Sequence, residues 1–327
     1  MLENVHLYNG TFDGRNHTIS GLYFNNTSTS YIGLFGYVGT SGKISNVGII
    51  DSYFNGKYYV GSICGYNSGG TMEDCYNTAN VSGSNYIGGI CGYKSGGTIK
   101  TCYHTANVSS LQDNSSNVGG ICGYNAKGEI ISCYYDSTTY SGEKVGTNKG
   151  TLACVDGKTA EQFKSGEVTY LLQGNPGEET EVVWGQTLTG DDQQDFPVLS
   201  GKPVYQIYQY AVCEYAANQE EPTKTLYSNS NQDIYEPHKD DGSVSGSVAY
   251  DNKCDYCGEP CHSFNENGIC EEEGCGYYQG IITNATYSTT VAYCGDATDA
   301  QPKTDDFTVA SGTKPEFTWY KGDVTTG

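Results

Sequence analysis

The sequence predicts a mainly β fold, a parallel β-solenoid of about five turns followed by smaller modules, and three observations carry that prediction. One stretch occurs three times: YVGSICGYNSGGTMEDCYNTANV from Tyr59, YIGGICGYKSGGTIKTCYHTANV from Tyr86 and NVGGICGYNAKGEIISCYYDSTT from Asn117. Self-similarity at such a period marks a stacked repeat. Within each copy the pieces are short and β-prone (TIKTCY, ANVS) between NSGG or KSGG punctuation, and no apolar run has helical spacing. Finally, Cys64, Cys91 and Cys122 recur at steps of 27 and 31 residues, and Cys75, Cys102 and Cys133 repeat those steps. The four extra residues fall in SSLQDNSSN, residues 109–117, whose loop composition lets them bulge outward without disturbing a stack.

At the amino end, LYNGTFDGRNHTISGLYF reads as an irregular first turn. YIGLFGYVGTSGKISNV from Tyr31 is a fainter copy, with Phe35 and Val47 in the two cysteine places. Together with the three full copies these make a solenoid over residues 1–145, each turn resting on the last at about 4.8 Å, the strand spacing. Ile99 and Cys102 break strict alternation, which places a corner between them, while Ala106 and Val108 resume it. Alternation leaves open whether Ile121 or Cys122 points inward.

FDGRNHTISGLYF, IGLFGYV and the three VGGICGY-type copies, roughly residues 2–140, resemble the GLUG motif family, glycine-rich repeats of secreted and surface proteins of bacteria. The resemblance implies a right-handed parallel β-helix-like domain in an adhesive or surface-structural setting. It brings no catalytic residues.

Fourteen cysteines require an accounting. Neighbours in the two ladders would have Cβ atoms about as far apart as the strands, whereas a disulfide wants roughly 3.8 Å, and three members cannot all pair within one ladder. They read as small packing residues, with a bridge across the coil as the competitor. A different group is CDYCGEPCHSFNENGICEEEGCGYY, residues 254–278, forming a Cys-rich module over 253–279. Its CxxCG turn can present two thiolates to one tetrahedral metal. Zinc-ribbon-like structural zinc on Cys254, Cys257, Cys270 and Cys275 is expected, although the second arm is CxxxxCG. Disulfides are the alternative, and Cys261 or His262 could replace a ligand.

Residues 146–213 read as a cap. TAEQFKSGEVTYLL (159–172) opens with Thr159 and Gln162 in capping-box spacing and carries Phe163, Leu171 and Leu172 on an apolar side, predicting one short helix. Short strands follow, limited by Pro197 and Pro203. A helix with a strand would cover the exposed edge at the end of a solenoid. Residues 214–252 read as a polar linker, and residues 280–327 as an incomplete immunoglobulin-like module, with FTWYKGD as its central strand.

The sequence has neither a charged-then-apolar leader nor a run of 18 apolar residues, so no membrane insertion is expected within it. An extracellular fragment of a longer exported protein is the expected setting. Residues 1–150 hold 9 acidic and 8 basic side chains against 29 and 9 in residues 151–327. Such acidity repels phosphate backbones, which argues against nucleic-acid partners. Arg15 is the only arginine, Asp74 stands alone in its repeat place, the five histidines form no HExxH pair, and His104 replaces Asn77 as a variable repeat residue. No enzyme is expected.

Tyrosines recur at 66, 93 and 124, and again at 76, 103 and 134, as two stripes. Tyr66, Tyr93 and Tyr124 are candidate contacts for a host or environmental glycan or protein surface, and mutual stacking is the competing role. Asn80 and Asn107 repeat as a possible amide ladder. Two functions follow: a surface adhesion or structural module, or a non-catalytic accessory region of a larger carbohydrate-active enzyme or peptidase.

Overall fold

Strands between Thr11 and Lys158 pair only in parallel, each with the equivalent strand one turn away. The computed structural model describes residues 6–112, 117–174, 183–239, 242–247 and 253–261, and the backbone of 280–281 and 290–291. Two units divide the chain: residues up to Ile207 with Leu226–Gln232, and Tyr208–Thr225 with residues from Asp233 onward.

Four ladders make the solenoid of the first unit. Tyr58–Gly61, Asn85–Gly88 and Val118–Gly119 form one. Phe35–Val38, Cys64–Asn67, Cys91–Lys94, Cys122–Asn125 and Val145–Asn148 form the next. The longest runs from Thr11–Ser20 through Lys43–Ile50, Thr71–Asn77, the split pair Thr98–Lys100 and Tyr103–His104, and Glu129–Asp136 to Thr151–Lys158. Tyr23–Asn25, Tyr53–Asn55, Asn80–Gly83 and Val108–Ser110 complete the coil.

The solenoid thus has more turns than the five expected. Its extra rung lies in residues 145–158, where Val145 pairs with Cys122 and Val155 with Cys133. The slot needs only a small apolar side chain, so a rung spelled without cysteine or Gly-Gly escapes a pattern of letters. At the other end Phe35 faces Cys64 and Val47 faces Cys75, as the fainter copy implied.

The corner near Thr101 is a left-handed residue repeated on every level: Asn46, Asp74, Thr101, Ser132 and Cys154 have φ of 54, 52, 48, 49 and 52°. Each costs on the order of 1 kcal/mol for an L-residue, so the stack above and below must hold it. Parity fails elsewhere for a related reason. Ile63, Ile90 and Ile121 and their neighbours Cys64, Cys91 and Cys122 are all fully buried, because the chain bends between two ladders there. Burying each such isoleucine is worth roughly 1.5–3 kcal/mol.

Two glycines of VGGICGY have separate duties. A Cβ on Gly88 would meet the carbonyl of Cys91 and the backbone of Cys122 on the next level, and one on Gly89 would meet the ring of His104. Among the described residues no cysteine is in a disulfide. The six ladder cysteines are fully buried packing residues, and Cys75, Cys102 and Cys133 donate their thiols to the carbonyls of Glu73, Lys100 and Ile131 at 3.1–3.2 Å. Burial pushes the thiols of Cys75, Cys91, Cys122 and Cys133 upward, which keeps them protonated and unreactive.

The segment after Lys158 folds as two helices where the pattern predicted one. α1 (Ala160–Lys164) starts in the expected capping box, with Gln162 N–H donating to Thr159 and Gln162 accepting from the Thr159 N–H. α2 (Glu167–Gln173) begins after Gly166, whose φ of 90° interrupts the helix and whose missing side chain leaves room for Leu188 and Val204. Trp184–Gly185 pairs antiparallel with Val198–Leu199. Phe163, Val168, Leu172, Trp184 and Leu199 pack on Tyr76, Tyr103 and Tyr134, so this cap covers a side of the solenoid instead of its end. The final strand Thr151–Lys158 keeps only Val155 buried. Asn229 fixes the cap by bonding the backbone of Gln186, Leu188 and Pro203 at 2.7–2.9 Å.

In the second unit, Gln209 and Tyr210, at the end of the stretch read as cap, pair in parallel with Ile234 and Tyr235, inside the stretch read as linker. Val212, Cys213, Ala216, Cys254 and Cys261 form its small core. The FTWYKGD strand of the expected immunoglobulin-like module lies outside the described residues, as do His262, Cys270 and Cys275. No helix among the described residues is long and apolar enough to cross a membrane.

Candidate binding surface and cysteine cluster

Parallel registration brings equivalent tyrosines together one above another. Tyr37, Tyr66, Tyr93 and Tyr124 pair in the same ladder, and their rings stack at 4.7, 4.9 and 5.0 Å with interplanar angles of 16, 9 and 1°. The three candidate contacts therefore share one column. A second column, not singled out from the sequence, runs beside it: Tyr31, Tyr59 and Tyr86 stack at 4.9 and 5.0 Å. Its signal was present, since a tyrosine stands seven residues before Tyr66 and Tyr93 alike. Left-handed φ values of 63, 58 and 59° set these three at a bend.

The columns meet edge to face, with Tyr59 against Tyr66 at 5.5 Å and Tyr86 against Tyr93 at 5.3 Å. All seven rings are half-buried. Burial, and then neighbouring phenols, raise the pKa of Tyr31, Tyr59 and Tyr93, which keeps those three rings neutral in ordinary conditions. Lys149 places its Nζ 5.6 Å from the Tyr124 ring centre at the column's end. Stacking of this kind contributes about 0.5–1.5 kcal/mol per pair, so the array is structural whatever else it does.

The other stripe is not available to a ligand. Tyr76 and Tyr103 stack at 5.1 Å, but Trp184 and Phe163 cover them and the Tyr103 hydroxyl donates to the Pro197 carbonyl at 2.6 Å. Asp74 is engaged as well, accepting from Thr101 Oγ1 at 2.6 Å and from the Trp184 indole at 3.2 Å. Burial raises its pKa, and those two donors only partly oppose the rise. Asn80 and Asn107 are linked by a backbone N–H to side-chain oxygen bond at 3.1 Å, while side-chain amide pairs form at Asn25–Asn55, Asn85–Asn117 and Asn125–Asn148.

In the second unit Cys254 and Cys257 come together with two residues that the sequence did not single out, Cys213 and His238. The four ligand atoms all lie within 4.8 Å of one another, and the group could bind a metal. Cys213 Sγ and Cys254 Sγ are 3.7 Å apart, and Cys257 Sγ and His238 Nδ1 are 3.6 Å apart. Cys213 and His238 are neighbours for a simple reason. Each lies three residues beyond the paired Tyr210 and Tyr235, so parallel pairing carries them forward in step. Tyr215 stacks on the His238 ring at 5.9 Å.

The Cys254–Cys257 turn is closed by Gly258 N–H to the Cys254 carbonyl at 2.8 Å, with Gly258 at φ 76°, and by a bridge between Lys253 and Pro260. Burial disfavours the Cys254 thiolate, but N–H groups of Cys257, Tyr256 and Lys239 and the His238 ring outweigh it and bring that thiol down to about 6. A lone cysteine and a lone histidine in a polar stretch were the only sequence signals, and only pairing gives them meaning.

Residues 56–82 match the GLUG motif family. The chain is also similar to halomucin of Haloquadratum walsbyi, at 34% identity over 76 residues that cover 23% of this chain and 1% of that protein. A putative Gly-rich membrane protein of Evansella cellulosilytica is 31% identical over 70 residues, 20% of this chain and 8% of that protein. The chain thus spans a small fraction of the length of these curated relatives. No solved structure matches it.

Proposed function

We propose that the chain is a non-catalytic structural repeat protein displayed at a cell surface, with the solenoid as a rigid spacer whose tyrosine columns contact glycan or protein surfaces. The observation that carries this reading is the half-buried array of seven tyrosines in two interlocked columns, repeating at 4.7–5.0 Å. Phenol rings offer an apolar face and a polar tip, which suits pyranose rings and protein surfaces. Similarity to halomucin and to a Gly-rich membrane protein supports the surface setting.

The non-catalytic reading draws on the candidate groups themselves. His104 is fully buried, Asp74 is tied to Thr101 and Trp184, and Glu73 is held between Lys43 and Lys100 at 2.5 and 2.7 Å. In the same reading the second unit holds a structural zinc ion, supported by the four metal-ligating side chains that converge there.

Arrays of glycans and matrix proteins, probed with the whole chain, test the surface role. Tyr93→Ala combined with Tyr124→Ala is expected to weaken any captured ligand by about tenfold or more, on the scale of an ordinary interface anchor, with circular dichroism unchanged. Equal binding by the double variant would remove the columns as a contact surface.

A further inference from the structure

We propose that Cys213, His238, Cys254 and Cys257 are the four ligands of one closed tetrahedral zinc site that staples three separated stretches of the second unit. Zn–S bonds of about 2.3 Å and Zn–N bonds of about 2.0–2.1 Å give tetrahedral edges of about 3.8 Å between sulfurs and about 3.5 Å between sulfur and nitrogen. The measured edges are 3.7 Å for Cys213–Cys254 and 3.6 Å for Cys257–His238. This ligand set replaces the one expected from spacing, which drew Cys270 and Cys275 from residues outside those described.

The chemistry of the donors selects the ion. Three thiolates and one imidazole suit zinc, whereas calcium and magnesium demand oxygen ligands, and the set contains no carboxylate. On binding, three thiol protons leave and a neutral imidazole contributes its Nδ1 lone pair, so Zn²⁺ with three thiolates leaves the site at net charge −1. All four positions belong to the protein, so none is open for water or substrate and the role is structural.

Need and preparation agree with this assignment. Among the described residues the surrounding core is Val212, Cys213, Ala216, Cys254 and Cys261, a small apolar cluster of the kind that metal sites commonly reinforce. The Cys254–Cys257 turn is also fixed in advance by the Gly258 N–H donating to the Cys254 carbonyl at 2.8 Å, which sets both sulfurs on one side of a tight turn. The rival is oxidation of Cys213 and Cys254 to a disulfide, with two electrons passed to an external oxidant. It would use neither the aim of His238 Nδ1 at Cys257 nor the convergence of all four ligand atoms within 4.8 Å of one another. The site is independent of the surface role assigned to the solenoid.

The experiment is metal analysis of the whole chain, purified with reductant and zinc, together with cobalt(II) substitution. One zinc per chain and a tetrahedral thiolate cobalt spectrum are expected. Cys213→Ala and His238→Ala should each weaken zinc binding by more than the roughly 10–100-fold that outer-shell changes cost. His238→Cys should retain the ion and strengthen the sulfur-to-cobalt charge-transfer band, which separates loss of a ligand from loss of folding. Cys154→Ala, at an exposed cysteine of the solenoid, should change nothing. Stoichiometric zinc in both alanine variants would overturn the assignment. So would loss of zinc on Cys270→Ala or Cys275→Ala with none on Cys213→Ala, or a metal-free chain whose peptide map contains a Cys213–Cys254 disulfide.

Discussion

The solenoid and the second unit use cysteine for opposite ends. In the solenoid, six cysteines sit fully buried in register with Phe35, Val47, Val145 and Val155, so the place is filled by other apolar side chains on other rungs. In the second unit, Cys213, Cys254 and Cys257 bring their sulfurs, with His238, within 4.8 Å of one another, a group that could bind a metal. Stacking explains the contrast. Each rung of a solenoid buries its neighbour, so stability accumulates by repetition, while the described residues of the second unit contain no repeat and show a core cluster of five buried residues.

The largest expected effect breaks the two regions apart. Chelating zinc under reducing conditions should abolish amide protection around residues 208–225, 233–239 and 253–261 while leaving the solenoid ladders protected, as read by hydrogen exchange. Structural zinc sites in small domains supply on the order of 10 kcal/mol, more than such a module holds in reserve. Joint loss of protection in both regions would erase the comparison.

The next effect sharpens it within the first unit, where the cap lies on the solenoid through aromatic packing. Trp184 is 1% exposed, packs on Tyr76 and Tyr103, and donates to Asp74. Trp184→Ala should cost about 3–5 kcal/mol in cap stability and expose Tyr103, while the ladders stay intact. Chemical denaturation followed by tyrosine emission would report two transitions in place of one. A single transition shifted as a whole would make cap and solenoid one cooperative body.

Much of this was legible from the letters and some was not, for physical reasons. Register was readable because equivalent residues must stack, and the Cys64–Cys91–Cys122 spacing names that register directly. The rung at 145–158 was hidden because Val145 and Val155 satisfy the same slot with different spelling. The side placement of the cap was hidden because Phe163 and Leu172 declare only that they need a partner, and the stripe of Tyr76, Tyr103 and Tyr134 offers one as well as an open strand edge does. Cys213 and His238 stand 25 residues apart in a polar stretch, and their common fate depends on the pairing of Tyr210 with Tyr235.

The smallest effect tests how far repetition tolerates an odd letter. His104 stands where the rung before it has Asn77 and the rung after it has Tyr135, fully buried, with Nδ1 2.9 Å from Asn77 Nδ2 and with no partner at Nε2. Burial lowers its pKa from 6.5 to about 4, against the partial opposition of backbone hydrogen bonds. A depressed folded value means the stability tied to this group is complete above pH 6.5, where neither state binds the proton. It is lost as pH falls toward 4, because only the unfolded chain accepts one. The full loss is roughly 3 kcal/mol at 1.36 kcal/mol per unit. His104→Asn, the residue of the preceding rung, should remove that slope between pH 6.5 and 4 in denaturant titrations. Any cavity it leaves lowers stability equally at every pH, so the slope and not the level carries the result. Burial opposes the charge of Glu73, but Lys43 and Lys100 hold its pKa below 4.5, and because this titration is common to both proteins it cancels from the difference between their slopes. Identical slopes in the two proteins would mean that a proton reaches His104 in the folded stack, and that a rung can open without its neighbours.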